Sequence, residues 1–201
     1  MGPQTYSLVL AAGGGQRFGM PKAMFRLGGD RLVDVAVRTA RDGGCDDVLV
    51  VLGAYVGEVP FAEVIYNPKW RSGLASSLSA GLTRLASMES VDRVIITLVD
   101  EPYIAAADIQ QLVTSTSRLA AIRYGDEWSH PVLVHRSHWK ALLQTLGGDR
   151  GARRYLMEHL DELTCYPAGN LAGLEDIDFQ PGTSLPGATG PRVDRAVQRG
   201  Q

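Results

Sequence analysis

A run of three glycines, Gly13, Gly14 and Gly15, followed by Arg17 and by Lys22 behind Pro21, has the makings of a phosphate site. With no side chains at the turn, the backbone can take positive φ and direct successive N–H groups at one anion. Arg17 and Lys22 supply formal positive charge, and Pro21 fixes φ just before the lysine, which limits where its ammonium can point. A second chemical feature lies far downstream. The apolar run Val94 to Val99 ends in Asp100-Glu101-Pro102, where the proline halts the strand and leaves a carboxylate at its carboxyl end. Backbone donors, two cations and a carboxylate able to hold a divalent metal are the parts needed to bind a polyphosphate and act on it.

These residues must be positioned by regular elements. Tyr6 to Ala12 is almost wholly apolar, as for a strand buried on both faces of a parallel sheet, and it leads straight into the glycines. Val33, Ala36, Val37 and Ala40 recur at helical spacing up to Gly43-Gly44, and Asp47 to Leu52 is the next strand. Phe61 to Tyr66 is a third, closed by Asn67-Pro68, before the helical stripe of Leu74, Leu78, Gly81, Leu82 and Leu85. After the strand that ends at Asp100, a helix is predicted over Ala105 to Val113. Alternating strands and helices predict an α/β fold with a mainly parallel sheet, in which ligands bind at the carboxyl ends of the strands. The pattern then changes. Leu119 to Tyr124 and Pro131 to His135 flank Gly125-Asp126 as a hairpin or inserted sheet layer, and helices follow near Ser137 to Thr145 and Ala152 to Leu160.

Spacing separates the phosphate motifs that compete for the glycine stretch. A dinucleotide fingerprint counted from Gly13 and Gly15 needs a third glycine where Phe18 stands, and an acidic residue after the second strand where Leu52 and Gly53 stand. A P-loop needs Gly-Lys-Ser/Thr, whereas Met20 follows Gly19. At 201 residues and 45% hydrophobic content the chain suits one globular domain, expected over 1–180, and Gly182 to Gln201 mixes Gly, Pro, Thr and Arg without apolar period, so 181–201 is expected to be a disordered tail. A net charge of −2 leaves no footprint for nucleic acid or a membrane surface. Cys45 and Cys165 form no C-x-x-C pair and read as buried thiols in a reducing cytosol. Without a bilayer-length apolar run, and with Met1 to Thr5 unlike a signal peptide, the expected location is cytoplasmic.

The pattern L-A-A-G-x-G-x-R-x-G-x-P-K, filled by Leu10, Ala11, Ala12, Gly13, Gly15, Arg17, Gly19, Pro21 and Lys22, resembles the signature of the MobA-like NTP transferases, in the branch that makes molybdenum cofactor dinucleotides by cytidylyl transfer. Asn67 to Leu82, with its N-P-x-W turn and G-x-x-S-S-L helix start, is similar to a second block of that family, and Leu98 to Pro102 to its metal-binding strand end. His130 to Leu133, Gly148 to Arg153 and Asp176 to Asp178 resemble later blocks. Departures lie at Ser129 in place of glycine, at Glu101 in place of glutamine, and at Phe179 and Gln180 in place of threonine and proline.

The resemblance implies a three-layer α/β/α, Rossmann-like nucleotide-diphospho-sugar transferase fold. It also implies nucleotide contacts from Leu10, Ala11, Ala12, Gly13, Gly14, Gly15, Arg17, Lys22, Asn67, Ser76 and Ser77. Arg17, Lys22 and Asp100 would be catalytic, and Asp100 with Asp178 would hold Mg²⁺. Ser76 and Ser77 equally suit a helix start, and His130 suits a core histidine as well as the substrate contact the family block suggests. His135 and His138 straddle a predicted strand-to-helix boundary and read as structural. CTP is favoured over GTP because Ala12 stands where the guanylyl branch has glycine. The acceptor would be phosphorylated, such as molybdopterin, with transient contact to molybdoenzymes or their chaperones. An alternative of another class is an NAD(P)H-dependent oxidoreductase of the nicotine blue oxidoreductase type on the same fold.

Overall fold

The computed structural model describes residues 4–15 and 19–169. Arg17, Asp178 and the segment 181–201 lie outside the described residues.

The chain runs β1 (Gln4–Leu10), a 3₁₀ turn at Lys22–Met24, the small ribbon β2 (Arg26–Leu27) and β3 (Asp30–Arg31), α1 (Leu32–Asp42), β4 (Asp47–Leu52) and β5 (Glu63–Tyr66). A 3₁₀ turn at Trp70–Ser72 then leads to α2 (Leu74–Ala86), β6 (Val91–Leu98), α3 (Ala106–Thr114), β7 (Leu119–Tyr124) and β8 (Glu127–His135). Last come α4 (Arg136–Thr145), α5 (Arg153–Met157) and β9 (Leu163–Pro167). Seven strands form one sheet in the order β5-β4-β1-β6-β8-β7-β9. β1 pairs in parallel with β4 and β6, as do β4 with β5 and β7 with β9, while β8 runs antiparallel between β6 and β7.

Alternation along the central strands divides the core into two layers. Val9, Val48, Val50 and Leu52 pack with Leu32, Val33 and Val37 of α1 and with Ile109 and Leu112 of α3. Leu8, Leu10, Leu49 and Val51 meet Leu78, Leu82 and Leu85 of α2, Trp139 and Leu142 of α4, and Tyr155 and Leu156 of α5. Because helices cover both faces, Leu8 to Leu10 of β1 and Val48 to Leu52 of β4 are apolar at successive positions instead of alternating. Leu78, Leu82 and Leu85 are wholly buried, each stabilising the fold by about 2 kcal/mol relative to exposure. Gly81 stands on the same stripe because a methyl there would collide with the Leu8 side chain, so its absence lets α2 close onto β1.

Several expectations shift at their edges. Phe61 cannot open β5, since it is exposed and has φ 62°, a conformation that ends extended pairing. The predicted helix Ala152 to Leu160 shortens to Arg153–Met157, because turns closed by Glu162 N–H to His159 O and Leu163 N–H to Leu160 O redirect the chain into β9. β9 itself carries no alternating pattern and is an edge strand ending in Pro167, so its pairing with β7 escaped sequence reading. The hairpin around Gly125-Asp126 is present, but β7 and β8 join the main sheet instead of a separate layer. Cys45 is buried and desolvation pushes its thiol up to about 12; Cys165 is only half-buried, because it lies on the edge strand.

Candidate active site

Leu10 pairs with Leu98, and the Val99 N–H donates to the Leu10 carbonyl at 3.2 Å. The glycine loop and Asp100 therefore leave two adjacent parallel strands at nearly the same level, at the carboxyl edge of the sheet. Beyond Leu10 the chain stays extended, held by Ala11 N–H to Val51 O and Ala54 N–H to Ala12 O, both 3.0 Å. Gly14 is pressed beneath the Trp70 indole, where an added Cβ would sit 2.9 Å from a ring carbon, so the loop needs glycine there for close approach.

Lys22 crosses the edge from the 3₁₀ turn. Its Nζ donates to Asp100 Oδ2 at 2.8 Å, joining two residues 78 positions apart. Both line a cleft of about 510 Å³ with Gly13, Gly14, Ser77 and Asp149. Leu10 and Ala12 also line it, whereas Ala11 turns to the opposite layer of the core. Gly15 has φ 58° and ends the described part of the loop.

The Asn67 turn is tied to α2 from within. The buried Asn67 amide donates to Ser76 Oγ at 2.9 Å and Ser77 Oγ at 3.0 Å, and its Oδ1 accepts from Lys69 N–H at 2.9 Å. Ser76 Oγ in turn donates to the Gly73 carbonyl. The three residues form one brace that sets the start of α2, and of the three Ser77 lines the cleft.

His130 stands in a neighbouring cleft of about 570 Å³ with Arg150, Arg153 and Arg154. The two clefts share Leu74 and Asp149. Between them the 147–151 loop is anchored on α2 by Ala75 N–H to Gly148 O at 3.1 Å, and Gly73, at φ 107°, has no room for a Cβ against that loop. His130 Nδ1 lies 3.3 Å from Glu101 Oε1. His135 caps α4 by accepting from Ser137 N–H and pairs with Asp92 at 3.0 Å, while His138 Nδ1 meets the Tyr155 hydroxyl at 2.8 Å, so both have structural partners.

Trp70, Arg71 and Asp149 also line the first cleft and were not among the sequence candidates. The Arg71 guanidinium lies 4.4 Å from the Trp70 ring centroid, a cation–π contact of about 0.5–1 kcal/mol. The available signals were a cation directly after the N-P-x-W turn and the acid closing Gly147-Gly148-Asp149. The cleft thus offers Lys22 and Arg71 as cations with Asp100 and Asp149 as carboxylates. No group of three or more His, Cys, Asp or Glu side chains stands close enough to cage a metal among the described residues. One or two carboxylates beside phosphate-binding groups suit Mg²⁺, which completes its shell with phosphate oxygens and water.

The sequence pattern of the MobA-like NTP transferase domain matches residues 7–163. The chain is 31% identical over 173 residues to nicotine blue oxidoreductase of Paenarthrobacter nicotinovorans, covering 78% of this chain and 83% of that one. It is 26% identical over 191 residues to purine catabolism protein PucB of Bacillus subtilis (strain 168), covering 88% and 92%. In fold it is similar to Rv0371c of Mycobacterium tuberculosis H37Rv, with a TM-score of 0.76 at 21% identity over 89% of this chain and 94% of that one.

Proposed function

The chain belongs to the MobA-like NTP transferase family, and from that premise we propose that it is a Mg²⁺-dependent nucleotidyltransferase that moves CMP from CTP to a phosphorylated acceptor such as molybdopterin, releasing pyrophosphate. The observation that carries this reading is the Lys22–Asp100 pair at 2.8 Å, set beside Gly13 and Gly14 in one cleft at the carboxyl ends of β1 and β6.

An oxygen of the acceptor phosphate attacks the α-phosphorus in line. A new P–O bond forms as the bond to the α,β-bridging oxygen breaks, and pyrophosphate leaves with the electron pair. A phosphate monoester with a second pKa of about 6 is already ionised at neutral pH, so no general base is required. The protein's task is positioning and charge neutralisation. The Gly13 and Gly14 amides cradle phosphate oxygens, and Lys22, with Arg17 from the same loop, balances charge that builds on the departing pyrophosphate. Asp100, with Asp149 and the sequence candidate Asp178, would hold Mg²⁺, which when bound draws charge from the phosphate oxygens. Ala12, at the floor of the cleft, favours CTP in this reading. A cytoplasmic setting and transient delivery to molybdoenzymes or their chaperones complete it; among the described residues no helix is long and apolar enough to cross a membrane.

Thermal unfolding with CTP, GTP, ATP or NADPH, each with and without Mg²⁺, tests the reading, because a ligand raises apparent stability according to its affinity and concentration. The largest rise is expected with CTP and Mg²⁺. The name of the oxidoreductase relative supplies the competing outcome: a rise with NADPH alone, unaffected by Mg²⁺ and without response to any triphosphate, would overturn it.

A further inference from the structure

The order β4-β1-β6 in the sheet gives the nucleotide cleft two ends. Asp100 follows β6 on one side of β1, and Lys22 closes that end by pairing with it. Gly53 follows β4 on the other side, where a Cβ would meet both the Ala12 carbonyl oxygen and Cβ and Cγ of Trp70. At its far edge the same indole lies against Gly14, with Cη2 2.9 Å and Cζ3 3.0 Å from where a Cβ would stand. Trp70 is therefore laid along the wall from Gly53 to Gly14, and its turn is held by Trp70 N–H to Asn67 O and Gly73 N–H to Trp70 O, both 3.3 Å. A triphosphate drawn to Lys22, with the metal at Asp100, takes the β6 end. The base of the same nucleotide then extends to the β4 end, among Ala12, Trp70 and Arg71.

Arg71 is the cation of that end, with its guanidinium 4.4 Å from the Trp70 ring centroid. Elsewhere Arg31, Arg38, Arg84 and Arg154 are each paired with a carboxylate, whereas among the described residues Arg71 has no acidic partner. A guanidinium presents its N–H groups in a planar fork, accepts nothing and stays charged at any working pH. Stacking on an indole that is itself fixed occupies its face and leaves its N–H edges for a ligand in the cleft that both residues line. Cytosine carries two adjacent acceptors, O2 and N3, that match two N–H groups of such a fork. Uracil keeps O2 but carries hydrogen on N3, and a group that can only donate has nothing to offer it.

We propose that Arg71 is a specificity-determining residue that reads O2 and N3 of the base and so selects CTP over UTP. This choice is separate from the preference over GTP assigned to Ala12, because guanine offers a guanidinium its own adjacent pair of acceptors, O6 and N7. The inference rests on the transferase reading for its nucleotide, and binding can be measured without turnover.

Calorimetric titration with CTP and with UTP, in Mg²⁺ and without acceptor, tests it. The wild type should bind CTP at least about tenfold more tightly than UTP, as expected of one bidentate base contact. Arg71→Met keeps an unbranched stem against Trp70, and Arg71→Lys keeps the charge without the fork. In both, the two nucleotides should bind within about twofold of each other, chiefly through weaker CTP. The side chain is exposed, so both variants should fold as the wild type does, which circular dichroism checks. Equal affinities in the wild type, or a preference for UTP, would overturn the inference and leave the transferase reading standing. A wild-type ratio retained in either folded variant would do the same, since a loss common to CTP and UTP would mean that Arg71 acts as a charge on the phosphates. If no triphosphate bound the wild type, the inference would fall together with the transferase reading.

Discussion

Replacing Lys22 by alanine should separate catalysis from stability, because the structure makes the two costs unequal. Lys22 Nζ lies 2.8 Å from Asp100 Oδ2, with side chains 17% and 23% exposed. Two unit charges about 4 Å apart attract by about 4 kcal/mol at an effective dielectric of about 20, but desolvation offsets most of this. Both side chains border an open cleft, so the net contribution to folding lies nearer exposed pairs than buried ones, about 1 kcal/mol. For a chain of this size that is a fall in Tm of about 2–4 °C. In the transition state the same ammonium faces charge building on pyrophosphate, where losing one preorganised donor costs about 3 kcal/mol, or about a hundredfold in rate. Pyrophosphate release under saturating CTP and molybdopterin, alongside thermal unfolding followed by circular dichroism, gives both numbers. A folded Lys22→Ala protein with wild-type turnover would refute the assignment of the cleft; Arg17→Ala should behave alike.

Asp100→Asn removes a charge while keeping shape, so it should weaken Mg²⁺ binding and stop pyrophosphate release; chelator-resistant NADPH oxidation with a quinone-like dye surviving in this variant would point to the reductase instead. Gly53→Ala would set a Cβ 2.6 Å from Trp70 Cβ and 2.8 Å from the Ala12 carbonyl oxygen, and this overpacking should cost about 2 kcal/mol, or roughly 4–8 °C in Tm, with an unchanged Tm as the contrary result. Burial holds His138 below the usual histidine value, so the folded state binds fewer protons than the unfolded chain; stability is intact above pH of about 6.5 and declines as pH falls below it. Urea midpoints at about pH 7.5 and 5.5 should therefore fall less in His138→Gln than in wild type, and parallel falls would exclude the linkage.

Local features of the sequence were enough to determine the glycine turn after β1, the alternation of strands and helices, and the carboxylate that ends β6. Each is written within a few consecutive residues: continuous apolar runs for doubly covered strands, three successive glycines for a turn without side chains, proline for the stop after Asp100. The helical stripe of α2 was legible for the same reason, since its leucines recur at the period of one element. What brings residues together across the sheet has no such local record. Lys22 meets Asp100 only because β1 and β6 pair with Leu10 opposite Leu98. Trp70 and Arg71 join the cleft because the Asn67 brace folds their turn over the glycine loop, and Asp149 joins it because its loop docks on the start of α2. Glu101 reads in sequence as a second charge beside the metal strand end; in the fold it lies buried in the turn after β6 and faces His130, on the strand β8 that runs antiparallel to β6. β9 lay beyond sequence reading because an edge strand is selected by the partner it finds, and its residues alone carry no period that names β7. Side-chain pattern determines which elements form, whereas register and loop docking, settled when the layers close on each other, decide which charges meet.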